Sequence, residues 1–133
     1  MKLQSKEKFS FLQLAHYLAR VDSKYGPREE EIILEYCTEM GIENLGSFDA
    51  DNFSLEGILK DFKSEASKKI VILELMILIH IDHNFNLNEQ NLMKKISSSF
   101  GIDLEDVNDY SQWGKSVAML YEVAKIFINE KKI

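Results

Sequence analysis

The densest apolar stretch of the chain runs from Ile70 to Ile81, IVILELMILIHI, where ten of twelve side chains are aliphatic or Met. Only Glu74 and His80 interrupt it. A surface helix carries one apolar stripe with polar residues opposite, whereas here almost every face is apolar. The pattern predicts a helix from about Ser64 or Glu65 to Ile81, surrounded by the rest of the protein. An asparagine-rich turn follows, Asp82-His83-Asn84-Phe85-Asn86, and a second helix is expected from about Leu87 to Phe100, ended by Gly101.

The same periodicity organises the remainder. Phe11, Leu12, Leu14, Ala15, Leu18, Ala19 and Val21 fall at helical spacing within Phe9 to Val21. Pro27 suits a first helical position, Arg28-Glu29-Glu30-Glu31 places acids at the positive end of the helix dipole, and Gly41 is placed to close that helix. Its apolar face is Ile32, Ile33, Tyr36, Cys37 and Met40. Ser54 is a candidate cap for a short helix through Leu55, Ile58, Leu59 and Phe62. Asp103 is a candidate N-cap of the last segment, with Leu104, Val107 and Tyr110 facing inward. Gly114 is expected to bend or break it, with Trp113 as a lid at the junction. From Lys115 the pattern resumes through Val117, Leu120, Tyr121, Ala124, Phe127 and Ile128, which are expected to pack across the molecule; docking on a partner or membrane surface is the other use of such a face. Strand-like alternation is absent. The expectation is an all-α, single-domain bundle of six or seven helices over residues 1–133.

Two stretches look like copies of one unit. Placing Asp82 on Asp22 aligns Phe11–Ile42 with Val71–Ile102 without a gap, with identities at Leu18/Leu78, Asp22/Asp82, Glu29/Glu89, Gly41/Gly101 and Ile42/Ile102. Apolar classes agree at Leu12/Ile72, Ala15/Leu75, Ile33/Met93, Tyr36/Ile96 and Met40/Phe100. Pseudo-repeats of about 9–45 and 69–105 follow, each a helix, a turn opening with Asp, a Glu-bearing helix and a Gly-Ile stop. This unit resembles the TerB-like tellurite-resistance family, similar in fold to the N-terminal domain of DjlA-type co-chaperones. Where that family usually carries Gly after the turn Asp, this chain has Ser23 and His83. The resemblance implies a bacterial stress-response module. It also implies a divalent cation, calcium or magnesium, at the paired acids Asp22, Glu29, Asp82 and Glu89.

Other readings of these acids follow from position. With Gly26 and Asn86 as N-caps, Glu29 and Glu89 stand at the third helical position, where a Glu can reach back to the cap N–H. Asp82, Asn84, Asn86 and Asn88 alternate as in an EF-hand, but the sixth and twelfth positions are Leu87 and Met93 rather than Gly and Glu, so that motif fails. His80, Asp82 and His83 are transition-metal ligand types without a fourth group. A metal-dependent enzyme or cation sensor using Asp82, Glu89 and these histidines is the alternative to a non-enzymatic module. Glu74 needs either a polar slot or a partner such as Lys68, Lys69 or His80. Phosphate-binding glycine loops and nucleophile motifs are missing, and Cys37 reads as a packed thiol.

Composition narrows the partners. With 22 acidic and 16 basic side chains the net charge is −6, which opposes nucleic-acid binding, since phosphate neutralisation needs a concentrated basic face. A run of twelve residues is too short to span a membrane, and the N-terminus lacks an apolar run of signal-peptide length, so a cytoplasmic protein that engages a protein partner is expected.

Overall fold

The computed structural model describes residues 3–20, 27–41, 53–81 and 87–129; for residues 27–29, 32, 36, 39 and 40 it describes the backbone alone. Among the described residues there are six helices and no strand: α1 Ser5–Ala19, α2 Pro27–Met40, α3 Leu55–Leu59, α4 Glu65–Ile81, α5 Leu87–Ser99 and α6 Leu104–Asn129.

Helix α4 is the centre. Val71, Ile72, Leu75, Met76, Ile77, Leu78, Ile79 and Ile81 are all buried, so the helix is covered on every side, as its composition demands. Helices α1, α5 and α6 pack on it, with α6 making by far the most extensive contact; α1 also carries α2 and α3. Phe11, Leu14, Ala15 and Leu18 supply the α1 face, Ile33 and Cys37 that of α2, and Leu92, Met93 and Ile96 that of α5. Phe62 and Phe100 meet edge to face with centroids 6.1 Å apart, joining the segment after α3 to the end of α5.

The ends of these helices follow local chemistry. Helix α2 begins at Pro27, whose missing N–H costs nothing at that position. Ser54 Oγ accepts from the Gly57 amide at 3.2 Å, and Ser64 Oγ accepts from the Ser67 amide at 3.0 Å, satisfying donors that the first turns of α3 and α4 leave free. Gly41 and Gly101 adopt φ of 69° and 72°, the left-handed conformation that closes a helix without a Cβ clash. After α5 the Ile102 amide returns to the Ser97 carbonyl at 2.9 Å, as in a Schellman ending. Ser5 and Glu65, Pro27 and Leu87, and Gly41 and Gly101 each stand sixty positions apart.

Two expectations about the last segment are corrected. Gly114 does not break the helix: α6 is continuous for 26 residues, about 39 Å. Its role is steric. A Cβ at Gly114 would lie 2.6 Å from Met76 Cβ and 2.9 Å from the Met76 carbonyl carbon, so glycine is what lets α6 approach the α4 backbone. Trp113 is therefore mid-helix and partly exposed rather than a lid at a junction. The second correction concerns which face is dry. Val107, Gly114 and Ala118 are buried and Ser111 bonds to α4, while Leu104, Leu120, Tyr121, Phe127 and Ile128 are exposed. Close approach at Gly114 fixes the rotation of α6 and turns Leu120 and Phe127 aside; Tyr121 and Ile128, seven and fourteen residues on, share the Gly114 face and are nevertheless exposed. Leu104 lies past the end of α4, which stops at Ile81, one residue beyond the His80–Ser111 contact.

Candidate functional site

The four acids implied as cation ligands are placed only in part. Asp22 and Asp82 lie outside the described residues, and for Glu29 only the helical backbone is described. Glu89 is described: the third residue of α5, 7% exposed and engaged by neighbouring groups. Helix α1 offers a comparison within the same chain. Glu7 occupies the same third position, is equally buried, and its Oε1 accepts the Gln4 amide at 2.8 Å. A Glu at this position thus closes a helix start elsewhere in the molecule. Among the described residues, no group of three or more His, Cys, Asp or Glu could hold a metal ion.

The remaining polar candidates are built into the packing. His80 Nε2 lies 2.9 Å from Ser111 Oγ, tying α4 to α6. Burial, and then the nearby Lys115 charge, lower its pKa below the usual histidine value, with the hydrogen bond at Ser111 opposing. His83 and Asp82, its companions in the sequence cluster, lie outside the described residues. Glu74 is half-buried and engaged, which matches the need for a polar slot or a partner on so apolar a helix. Cys37 is buried, and burial raises its thiol pKa against an opposing backbone hydrogen bond, so it stays protonated at neutral pH. A cleft of about 550 Å³ lies between the α3 end and α5, floored by Phe62 and Phe100 and edged by Lys60, Lys63 and Lys68 with Glu56. Its lysines are spread along the rim, and Lys68 also sits 3.8 Å from Glu65.

The surface that sets this molecule apart is the outer side of α6. Met119, Leu120, Tyr121, Val123, Ile126, Phe127 and Ile128 are all exposed, Leu120 to 67% and Phe127 to 69%. Soluble proteins rarely leave so many large apolar side chains contiguous on one element. Along α6 the polarity changes sides. Up to Ala118, Glu105, Asp106, Asn108, Asp109, Gln112 and Ser116 are exposed while Val107, Gly114 and Ala118 are buried. Beyond Ala118 the half-buried positions are Glu122 and Lys125, and the apolar residues are exposed. A helix meant to pack only on its own bundle keeps one dry face throughout. The sequence held this signal: residues Tyr110, Trp113, Val117, Leu120, Ala124 and Phe127 alternate three and four apart, a seam pattern that periodicity alone reads as core.

By architecture the described residues form an all-α helical protein with an apolar outer stripe on its last helix. Compared with protein-family models, curated proteins and solved structures, the chain has no significant match. No helix among the described residues is long and apolar enough to cross a membrane.

Proposed function

We propose that this chain is a non-enzymatic binding or regulatory module of the TerB-like kind, bacterial and cytoplasmic, that engages a protein partner through the outer side of α6. The carrying observation is the exposed band from Met119 to Ile128, on the order of 700 Å² of largely apolar surface, near the ~800 Å² each partner brings to a standard interface. The TerB-like reading draws support from the sixty-residue spacing shared by helix starts and closing glycines, which fits two copies of one helix-turn-helix unit within one domain. A photo-reactive amino acid placed at Leu120 tests the partner reading in the producing cell. The expected result is a discrete covalent adduct to a protein. Irradiation that yields no adduct, with the chain folded, contradicts it.

A second reading is a divalent cation, calcium or magnesium, at the paired turns, through Asp22, Glu29, Asp82 and Glu89. Its support is the burial of a carboxylate, Glu89, at the start of α5 beside one of those turns. A cation bound only by the native state at 100 times Kd adds about 2.7 kcal/mol. Melts with EDTA and then with calcium or magnesium test it: a midpoint that rises with the cation in wild type but not in Asp82→Ala is expected, and an unmoved midpoint removes the cation. Asp82 and Glu89 with His80 and His83 would serve a metal-dependent enzyme or sensor, which the same melts with manganese or zinc test.

A further inference from the structure

Resting on the reading of α6 as a protein-binding surface, we infer that the partner is a second copy of this chain, its α6 packed antiparallel along the seam Tyr110, Trp113, Val117, Leu120, Ala124 and Phe127. Spacing identifies the kind of occupant. Apolar residues alternating three and four apart are what a second helix needs to insert its side chains between them, so the occupant of this surface is itself a helix. The stripe is open where it matters: Trp113, Leu120, Ala124 and Phe127 are exposed, and Tyr110 and Val117 are half-buried against the core. Tyr121, Val123 and Ile128 flank it and are exposed too.

The seam also complements itself when reversed. An antiparallel pairing sets Tyr110 against Phe127, Trp113 against Ala124 and Val117 against Leu120 of the second copy, and each pairing recurs by symmetry. The largest side chain of the seam then faces the smallest. Polarity agrees. The part of α6 before Trp113 carries Glu105, Asp106 and Asp109 with no base, while after it Lys115 and Lys125 outnumber Glu122. A parallel pair would set acids against acids. The exposed side chains on and beside the seam, Trp113, Leu120, Tyr121, Val123, Phe127 and Ile128, present on the order of 650 Å², close to the ~800 Å² standard share per partner.

Sedimentation equilibrium on the full chain from about 1 to about 100 µM tests this. The expected mass rises from 15.4 kDa towards twice that value with concentration. Leu120→Glu and Phe127→Glu, both at exposed positions, are expected to remain monomeric throughout and to match the wild-type melting curve at the dilute end, where wild type is monomeric too. Asp106→Lys, which reverses a charge at the acidic end of α6, is expected to weaken association. A chain that stays at 15.4 kDa throughout overturns the inference, as does a dimer that Leu120→Glu leaves intact. A monomer that co-sediments with phosphatidylglycerol vesicles overturns it in favour of a lipid surface. A monomer whose Leu120 adduct contains a different protein removes the second copy and leaves the proposed function standing; a monomer with no adduct removes both.

Discussion

Replacing Gly114 by Ala tests how α4 and α6 are held together. In a helix interior exposed to solvent this change stabilises by about 1 kcal/mol, because glycine loses more backbone freedom on folding. At Gly114 the new Cβ would stand 2.6 Å from Met76 Cβ and 2.9 Å from the Met76 carbonyl carbon. Carbon atoms in good contact lie about 3.5–4.0 Å apart, so the helices must part by roughly 1 Å. The obstruction is partly backbone and cannot rotate away. Overpacking of this kind costs about 1–3 kcal/mol, and a backbone clash on the largest helix–helix contact belongs at the upper end. Offsetting about 3 kcal/mol by about 1 leaves a net loss near 2 kcal/mol. For a chain of this length that lowers the melting temperature by about 6–8 °C. Thermal unfolding followed by circular dichroism gives the answer, with Ser116→Ala, an exposed site on the same helix, as control and expected within about 0.5 kcal/mol of wild type. A Gly114→Ala protein that melts at or above the wild-type temperature refutes the close approach.

Three further outcomes follow from the packing. His80 has a lowered pKa in the folded state, so the unfolded chain binds its proton first; stability is full above the ordinary histidine value of 6.5 and falls as pH drops below it. His80→Gln should therefore lose less stability than wild type between pH 7.5 and pH 5, roughly the window in which histidine titrates, in denaturant melts at each pH. Cys37, buried with a raised pKa, should resist a thiol reagent in the native protein and react fully once unfolded; fast native modification would contradict its packing. Ser64→Ala should cost about 1 kcal/mol, since the hydroxyl caps the first turn of α4, and an unchanged urea midpoint would show the cap contributes nothing.

Much of this architecture could be read from the residues because the signals were local. Pro27 can open a helix but not continue one, Gly41 and Gly101 can adopt the conformation that closes one, and the apolar girth of Ile70–Ile81 leaves it nowhere to sit but the centre. Gly114 was misread because a glycine inside a helical pattern signals a break unless the neighbour it admits is known, and that neighbour, Met76, is 38 positions away in sequence. The outer side of α6 was misread for a related reason. Periodicity reports that Leu120, Ala124 and Phe127 share a face, but which way the face points depends on the rotation fixed at Gly114 and Ala118. The polar residues opposite, Glu122 and Lys125, were the available clue. Of the four acids proposed for a cation, only Glu89 has a described side chain, and its place at the third helical position was already legible from Asn86 three residues before it.

The central claim, that the outer side of α6 is an interface, is most directly tested by hydroxyl-radical footprinting of the wild-type chain across a concentration series. Trp113, Tyr121 and Phe127 should be readily oxidised in dilute solution and become protected as the protein is concentrated, while Phe9, exposed on α1, reacts equally throughout. Reactivity at Trp113, Tyr121 and Phe127 that stays as high as that of Phe9 at every concentration would contradict the account.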